Sequence, residues 1–469
     1  MPLRSAAHLV ALILFFVLLA LMVAPPFDLT RLQWNTFLLF LGTMAAILWN
    51  RYPMPVVVLI SLALGMVLKT MTLDQALRGY SSTVTWIIVV AFILARSLTK
   101  TGLGRRIALV LIRELGSSSL RLGYAFTLAD LTLAPVTPSN TARAGGIIYP
   151  IARSLVLEFD SRPGESARRL GAYLLFTAFQ SNIVTSALFL TAMAANALAA
   201  QLAMDTAGVV IDWGTWFKAA SVPGFCSLFL VPAVIYWTYP PEVRATPEAG
   251  QFARRELSAL GPMSRDERIL VVVFVLLALT WATTSWHGTS TVAAAFAALG
   301  LLLVAGVLTK EDLSEESSAW ETFLWFGGFL SLAGAVSDSG LILQLLSSQG
   351  ALFQSWNPVL ALVLLVIAYT YLHYVFASMT AHIVALYAAF LTLAVSAGAP
   401  ALLSALVLAF FSNLYACLTH YGDGAAPIFF GSGYIELKDW WRIGFLLSVV
   451  HLVVWLGVGL IWWKVIGVY

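Results

Sequence analysis

Charge is what this sequence has least of. Only 10% of its 469 residues are charged, and its mean hydropathy is +0.89. Soluble globular proteins carry roughly a quarter charged residues, so a chain this poor in charge cannot cover a surface facing water. The excess of basic over acidic residues is only +3, which gives no ground for a nucleic-acid partner. Cysteine is almost absent. Cys226 and Cys417 both lie in apolar stretches, so neither a disulfide framework nor a zinc site is indicated. The few histidines form no nucleophile–base pair or metal cluster at helical spacing, which argues against an intramembrane enzyme. What remains is apolar: 60% of the chain. The composition is that of an all-α polytopic membrane protein.

A transmembrane helix needs about 20 mostly apolar residues. Candidate spans cover residues 7–24, 35–50, 54–68, 85–98, 171–200, 216–239, 269–286, 291–308, 322–336, 358–376, 401–418 and 443–466. The stretch 171–200 is long enough to be broken. Allowing for short segments, we expect about eleven transmembrane helices plus two re-entrant hairpins. Basic residues set the orientation. Arg96, Lys100, Arg105, Arg106, Arg113 and Arg121 crowd one connection, and Arg244, Arg254, Arg255, Arg265 and Arg268 another. Residues 341–358 carry no charge, and 201–213 carry only Asp205 and Asp212. The first two connections are therefore expected to be cytoplasmic and the last two external. Val23-Ala24-Pro25 makes a poor signal-peptide cleavage site, so the first span is expected to be retained. The expected home is a bacterial inner membrane.

The chain also repeats itself. Ser139-Asn140-Thr141-Ala142-Arg143 returns 239 positions later as Ser378-Met379-Thr380-Ala381-His382. Thr101-Gly102-Leu103 is answered by Ser339-Gly340-Leu341 at nearly the same offset. Basic connections flank the first copy and an uncharged one precedes the second, so the halves are expected to be oppositely oriented. Two inverted-topology repeats are a mark of secondary transporters, whose sites lie between the repeats. The expected division is an N-terminal span and loop (1–34), a first repeat (35–239), a charged, proline-bearing linker (240–268) and a second repeat (269–469).

The two motifs have a physical use. Pro135 and Pro138 cannot both sit inside an intact helix. One helix should stop near Pro135 and another begin near Ser139, with Ser139, Asn140 and Thr141 offering good caps. Gly145 and Gly146 would let a neighbour approach. Each helix start contributes roughly +0.5 of an elementary charge, so two facing starts suit an anion. Arg143 and His382 stand at equivalent positions and would add to that charge. Read alone, Arg143 fits an interfacial residue as well as a ligand; the equivalence favours the ligand. Between Asp338 and Glu436 only Asp423 carries a formal charge. The polar residues of that stretch, among them His373, Ser378, Thr380, His382, Thr419, His420 and Asp423, are candidates for function by default.

The run Ala134-Pro135-Val136-Thr137-Pro138-Ser139-Asn140-Thr141-Ala142-Arg143, followed by Gly145-Gly146 and Tyr149-Pro150, resembles the divalent anion/sodium symporter family. It is most similar to the branch of 2-oxoglutarate/malate translocators and citrate/succinate antiporters. The runs Thr185 to Asn196, His373 to His382 and Phe430 to Tyr434 agree with it. The resemblance implies an elevator-type homodimer that binds small carboxylate anions. It implies substrate contacts from Ser139, Asn140 and Thr141, and from Ser378 and Thr380. Thr185 and Ser186 fit plain hydrogen bonds to their own helix, yet their place in a broken helix favours a site role. Arg143, His382, Thr419 and Asp423 complete the expected substrate site.

Sodium-coupled members of the family carry Ser-Asn-Thr in both hairpins. Here the second reads Ser378-Met379-Thr380, and a thioether is a poor ligand for a hard cation. Exchange of di- or tricarboxylates without a metal or other cofactor is therefore expected, with sodium coupling as the alternative and a passive anion channel less favoured. Asp423 departs from the family pattern, where a small hydroxyl or glycine is usual. Its carboxylate either changes the substrate or couples transport to a proton.

Overall fold

The computed structural model describes residues 25, 29–49, 51–340 and 357–469. The expected first span (7–24) and nearly all of the uncharged connection 341–358 lie outside the described residues. The described chain is helical throughout, with no strand beyond one isolated bridge between Ser118 and Ala245.

Five described helices are long and apolar enough to cross a membrane: Thr83–Thr101, Trp213–Thr238, Pro358–Val375, Met379–Ser396 and Leu437–Val465. Met54–Val67, Thr291–Val304 and Ala401–Cys417 are shorter apolar helices. Other expected spans fall on described helices with more charge or lower hydropathy, such as Arg265–Ala282 and Ser317–Asp338, and some apolar stretches are interrupted. The 171–200 stretch is one of them. Its first helix, Gly171–Leu188, ends where Phe189 turns extended, and a new helix begins at Ala194. Every residue of Gly171–Leu188 is buried, including Gln180, Ser181, Asn182, Thr185 and Ser186. Lipid could not satisfy those polar groups, so the helix is wrapped by protein on all sides. It packs against Ser119–Leu133, Trp213–Thr238 and Ala401–Leu414.

The chain divides into two compact units. One combines the described residues of Met1–Trp86 and Trp320–Ser355. Within it Thr43 donates to Ser61 at 2.8 Å, and the Gly79 N–H donates to Ser331 Oγ at 2.9 Å. A methyl group on Gly79 would lie 1.8 Å from the Gly327 carbonyl oxygen, so only glycine fits that approach. The other unit combines Ile87–Ala319 and Trp356–Tyr469 and holds every candidate site residue. In it, the charged stretch expected as a linker is folded. Its helix Pro247–Leu260 packs on the amphipathic helix Leu103–Leu115. Arg105 pairs with Glu256, and Arg106 with Glu267 at 2.6 Å.

Two segments of this second unit are built alike. In the first, helix Ser119–Leu133 passes into a 3-10 turn, Ala134–Val136. An extended break follows, then helix Asn140–Arg143, a π-helical turn Ala144–Ile148 and helix Tyr149–Glu158. In the second, Pro358–Leu372 passes into His373–Val375, a break, Met379–His382, a π turn Ile383–Tyr387 and Ala388–Ser396. Every start from the first helix to the last lies 239 positions after its counterpart. Proline explains the first break; the second has none, and side chains that grip its backbone hold it open.

Candidate functional site

The two breaks begin their second helices in the same way. Ser139 is extended, and its Oγ accepts the Ala142 N–H at 3.1 Å. Ser378 is extended, and its Oγ accepts the Ala381 N–H at 3.3 Å. Each serine satisfies one free donor of its helix start and leaves others available. Burial follows the same pattern: Ser139, Thr141, Ser378 and Thr380 are half-buried, while Asn140, Met379, Arg143 and His382 are buried. The accessible edge of each break therefore presents two hydroxyls and the positive end of a helix.

Arg143 is placed differently from a free cation. It is fully buried, and its Nε donates to Asp130 at 3.0 Å. Nη1 donates to the carbonyls of Thr137 (2.9 Å) and Ala192 (3.1 Å), and Nη2 to Ser186 (2.9 Å) and Thr185 (3.4 Å). A guanidinium has five N–H donors, and this set occupies all of them. Asp130 also accepts from Asn182 Nδ2 at 3.0 and 3.1 Å and from the Thr185 hydroxyl. The charge of Arg143 is thus matched inside the protein. The sequence tally of positive charge omitted Asp130, an intramembrane carboxylate in an apolar run, which was the signal available for it. Thr185 thus links Arg143 to Asp130, while Ser186 accepts from Arg143 and donates back to the Asn182 carbonyl at 2.7 Å. The group as a whole clamps the first break, since Thr137 and Ala192 belong to the two interrupted segments that meet there.

His382 stands in an aromatic setting. It stacks on Tyr415 (ring centroids 4.4 Å apart) and Phe376 (4.6 Å). Its Nδ1 lies 3.1 Å from Nδ1 of His373, whose Nε2 lies 2.9 Å from the Gly422 carbonyl. The carbonyl only accepts, so His373 carries its proton on Nε2, and its Nδ1 accepts from His382. His382 Nε2 is buried without a hydrogen-bond partner. His373, which the expected site did not include, is therefore a structural partner of its most conspicuous histidine. The Tyr415 hydroxyl donates to the Met379 carbonyl at 3.1 Å and so holds the second break without proline.

One loop joins the two breaks. From residues 419 to 424 it passes Gly422 to His373 in the second break and Asp423 to Asn140 in the first. Asp423 Oδ2 accepts from Asn140 Nδ2 at 2.7 Å, and Oδ1 accepts the Ala426 N–H at 2.7 Å. Gly424 lies so close to Thr141 that an added Cβ would come within 2.5 Å of its hydroxyl. Thr419 is buried, and its hydroxyl has no partner. All eleven expected site residues thus fall on the two breaks, the interrupted helix beside the first, and this loop. His420, by contrast, accepts from Trp441 Nε1 at 3.2 Å and takes no part.

The described chain is helical and of membrane type, and its larger unit carries two paired helix breaks. Among solved structures it is similar to the YdaH transporter of Alcanivorax borkumensis (TM-score 0.58, 16% identity, covering 86% of this chain and 89% of that one). It is also similar to MtrF of Neisseria gonorrhoeae (TM-score 0.57, 12% identity, covering 85% and 84%). At those identities the likeness concerns the fold alone.

The family pattern described as "Sodium:sulfate symporter transmembrane region" matches residues 3–469, and the chain belongs to that family, the divalent anion/sodium symporters. It is 43% identical to the "Putative malate transporter YflS" of Bacillus subtilis, over 99% of this chain and 98% of the relative. It is 42% identical to "Dicarboxylate transporter 1, chloroplastic" of Spinacia oleracea, over 95% of this chain and 79% of the relative. The chain is a membrane transporter and not an enzyme.

Proposed function

We propose that this protein exchanges di- or tricarboxylates of the malate, succinate, 2-oxoglutarate or citrate class across a bacterial inner membrane. The observation that carries the reading is the pair of matched helix starts, with Ser139, Thr141, Ser378 and Thr380 half-buried at their edges. Two such starts offer donors and partial positive charge to the two ends of a dicarboxylate. The names of the relatives support the substrate class. With Arg143 matched by Asp130, the anion is held by helix starts, hydroxyls and amides rather than by a free guanidinium.

The element-by-element correspondence at a 239-residue offset supports two inverted repeats, and an elevator-type movement within a homodimer follows from the family reading. Met379, which brings a thioether where a sodium-coupled site would want oxygen, supports exchange. Sodium-coupled symport is the second reading, favoured by the family's description. Uptake of labelled malate and 2-oxoglutarate into proteoliposomes separates the two. Exchange requires uptake only into vesicles preloaded with unlabelled dicarboxylate, indifferent to sodium. Sodium-driven uptake into empty vesicles would establish symport instead.

A further inference from the structure

A carboxylate buried beside an anion site needs compensation, and Asp423 has only neutral donors. Asn140 Nδ2 and the Ala426 N–H lie at 2.7 Å, and the Ala425 backbone N–H is a further neutral donor. Among the described residues no lysine, arginine or histidine nitrogen pairs with it within 4.0 Å. The ionisable and polar groups of the two breaks and of its own loop are otherwise committed. From the first break, Arg143 is engaged with Asp130, and Thr141 lies against Gly424. From the second, His373 Nε2 donates to the Gly422 carbonyl and His382 donates to His373. From its own loop, Thr419 brings a hydroxyl and no charge. A buried charge without a paired countercharge is strongly disfavoured, and a dianion nearby disfavours it further.

The geometry of Asn140 shows what a proton would change. A side-chain amide is a fork with one donating and one accepting end. An ionised Asp423 only accepts, so it fixes Nδ2 of Asn140 toward itself and leaves the carbonyl end for whatever else approaches the helix start. A carbonyl repels an anion.

We propose that Asp423 is a proton-binding positioning residue: one proton joins its Oδ2 when a dicarboxylate binds, and Asn140 then turns its amide over. Its oxygen accepts from the new Asp423 hydroxyl, and its N–H groups face the substrate. Only the O–H bond is formed. The proton comes from water on the side where substrate enters and leaves when substrate is released, so the transported unit is a dianion plus one proton. The inference rests on the carboxylate reading above.

The test is succinate binding to the purified full chain, with calorimetry in buffers of different ionisation enthalpy. Uptake of about one proton per succinate is expected, with affinity falling about tenfold per pH unit once Asp423 is ionised in the free protein. In Asp423→Asn the binding heat should no longer depend on the buffer, whatever the affinity. In the wild type, isotope-edited infrared spectra of ¹³C-aspartate-labelled protein should gain a protonated-carboxyl band on adding succinate. That readout needs no variant to fold. Binding without proton uptake, or uptake unchanged in D423N, overturns the proposal. Uptake lost in His382→Asn but kept in D423N moves the proton to the histidine pair and equally overturns it. No heat with succinate, malate or 2-oxoglutarate overturns the carboxylate reading itself.

Discussion

Arg143 and Asp130 meet at 3.0 Å with neither side chain reaching solvent. They are 13 residues apart, on opposite sides of the first helix break, so their pairing closes the break into one unit. Removing either partner leaves a buried charge. Arg143→Met and Asp130→Leu should each cost roughly 3–5 kcal/mol, and the double replacement much less. Thermal unfolding of the solubilised protein checks this; a double variant as unstable as the two singles combined would show that the bonds to Thr137 and Ala192 matter more than the charge.

Thr141 and Thr380 should carry substrate affinity without carrying the fold. Each is half-buried and lies two residues after a capping serine that stays in place. A hydrogen bond to a charged group contributes about 1.5–3 kcal/mol, so Thr141→Ala or Thr380→Ala should weaken carboxylate binding roughly ten- to hundredfold. Unchanged saturable uptake in both would remove the substrate from the helix starts.

Gly424 and Gly422 are tests of spacing rather than chemistry. Gly424→Ala would drive a methyl group to within 2.5 Å of the Thr141 hydroxyl, and Gly422→Ala to 2.9 Å from His373 Nε2. Because small displacements at a positioned site cost roughly up to a hundredfold, each should lower transport strongly while the protein still assembles. Transport assays alongside size-exclusion profiles separate the two effects; normal uptake in G424A would mean that the loop does not seat Thr141.

Asp312 gives a pH test outside the membrane-spanning helices. Burial pushes its carboxyl up, but Lys100 at 2.5 Å, Arg96 at 2.9 Å and the Thr309 N–H at 2.8 Å outweigh that and hold it well below the usual carboxylate range. A depressed carboxyl stabilises the fold above its unfolded value of about 3.9 and loses that contribution as pH falls toward the folded value. Wild-type stability should therefore drop more steeply below about pH 4 than that of Asp312→Asn, which should already be less stable at neutral pH. Parallel melting profiles from pH 7 to acid would contradict this.

The helix breaks were legible because proline and cap residues act locally: Pro135, Pro138 and Ser139 set the first, and the repeat carried the second. Asp423 was legible because it stands alone in a long uncharged stretch. The pairing of Arg143 with Asp130 was not, since a 13-residue separation across an irregular turn fits no helical spacing. The role of Gly422 and Gly424 was hidden for a related reason. A glycine's purpose depends on what lies opposite, and His373 and Thr141 are brought there only by tertiary packing. The helix Pro247–Leu260 within the 240–268 segment was not legible, because its packing on Leu103–Leu115 is a tertiary contact that composition does not show.

The matched lengths of the two interrupted segments set a rule for how this chain can change. Each runs through a helix, a short turn, an extended step, one helical turn and a wider π turn, with starts kept in step for thirty residues. An inserted residue anywhere inside either segment would rotate everything beyond it by about a third of a turn. It would carry Arg143 away from Asp130, or His382 away from His373. Substitution is therefore open to these segments where insertion is closed, and differences in length among related chains should gather in the connections outside them.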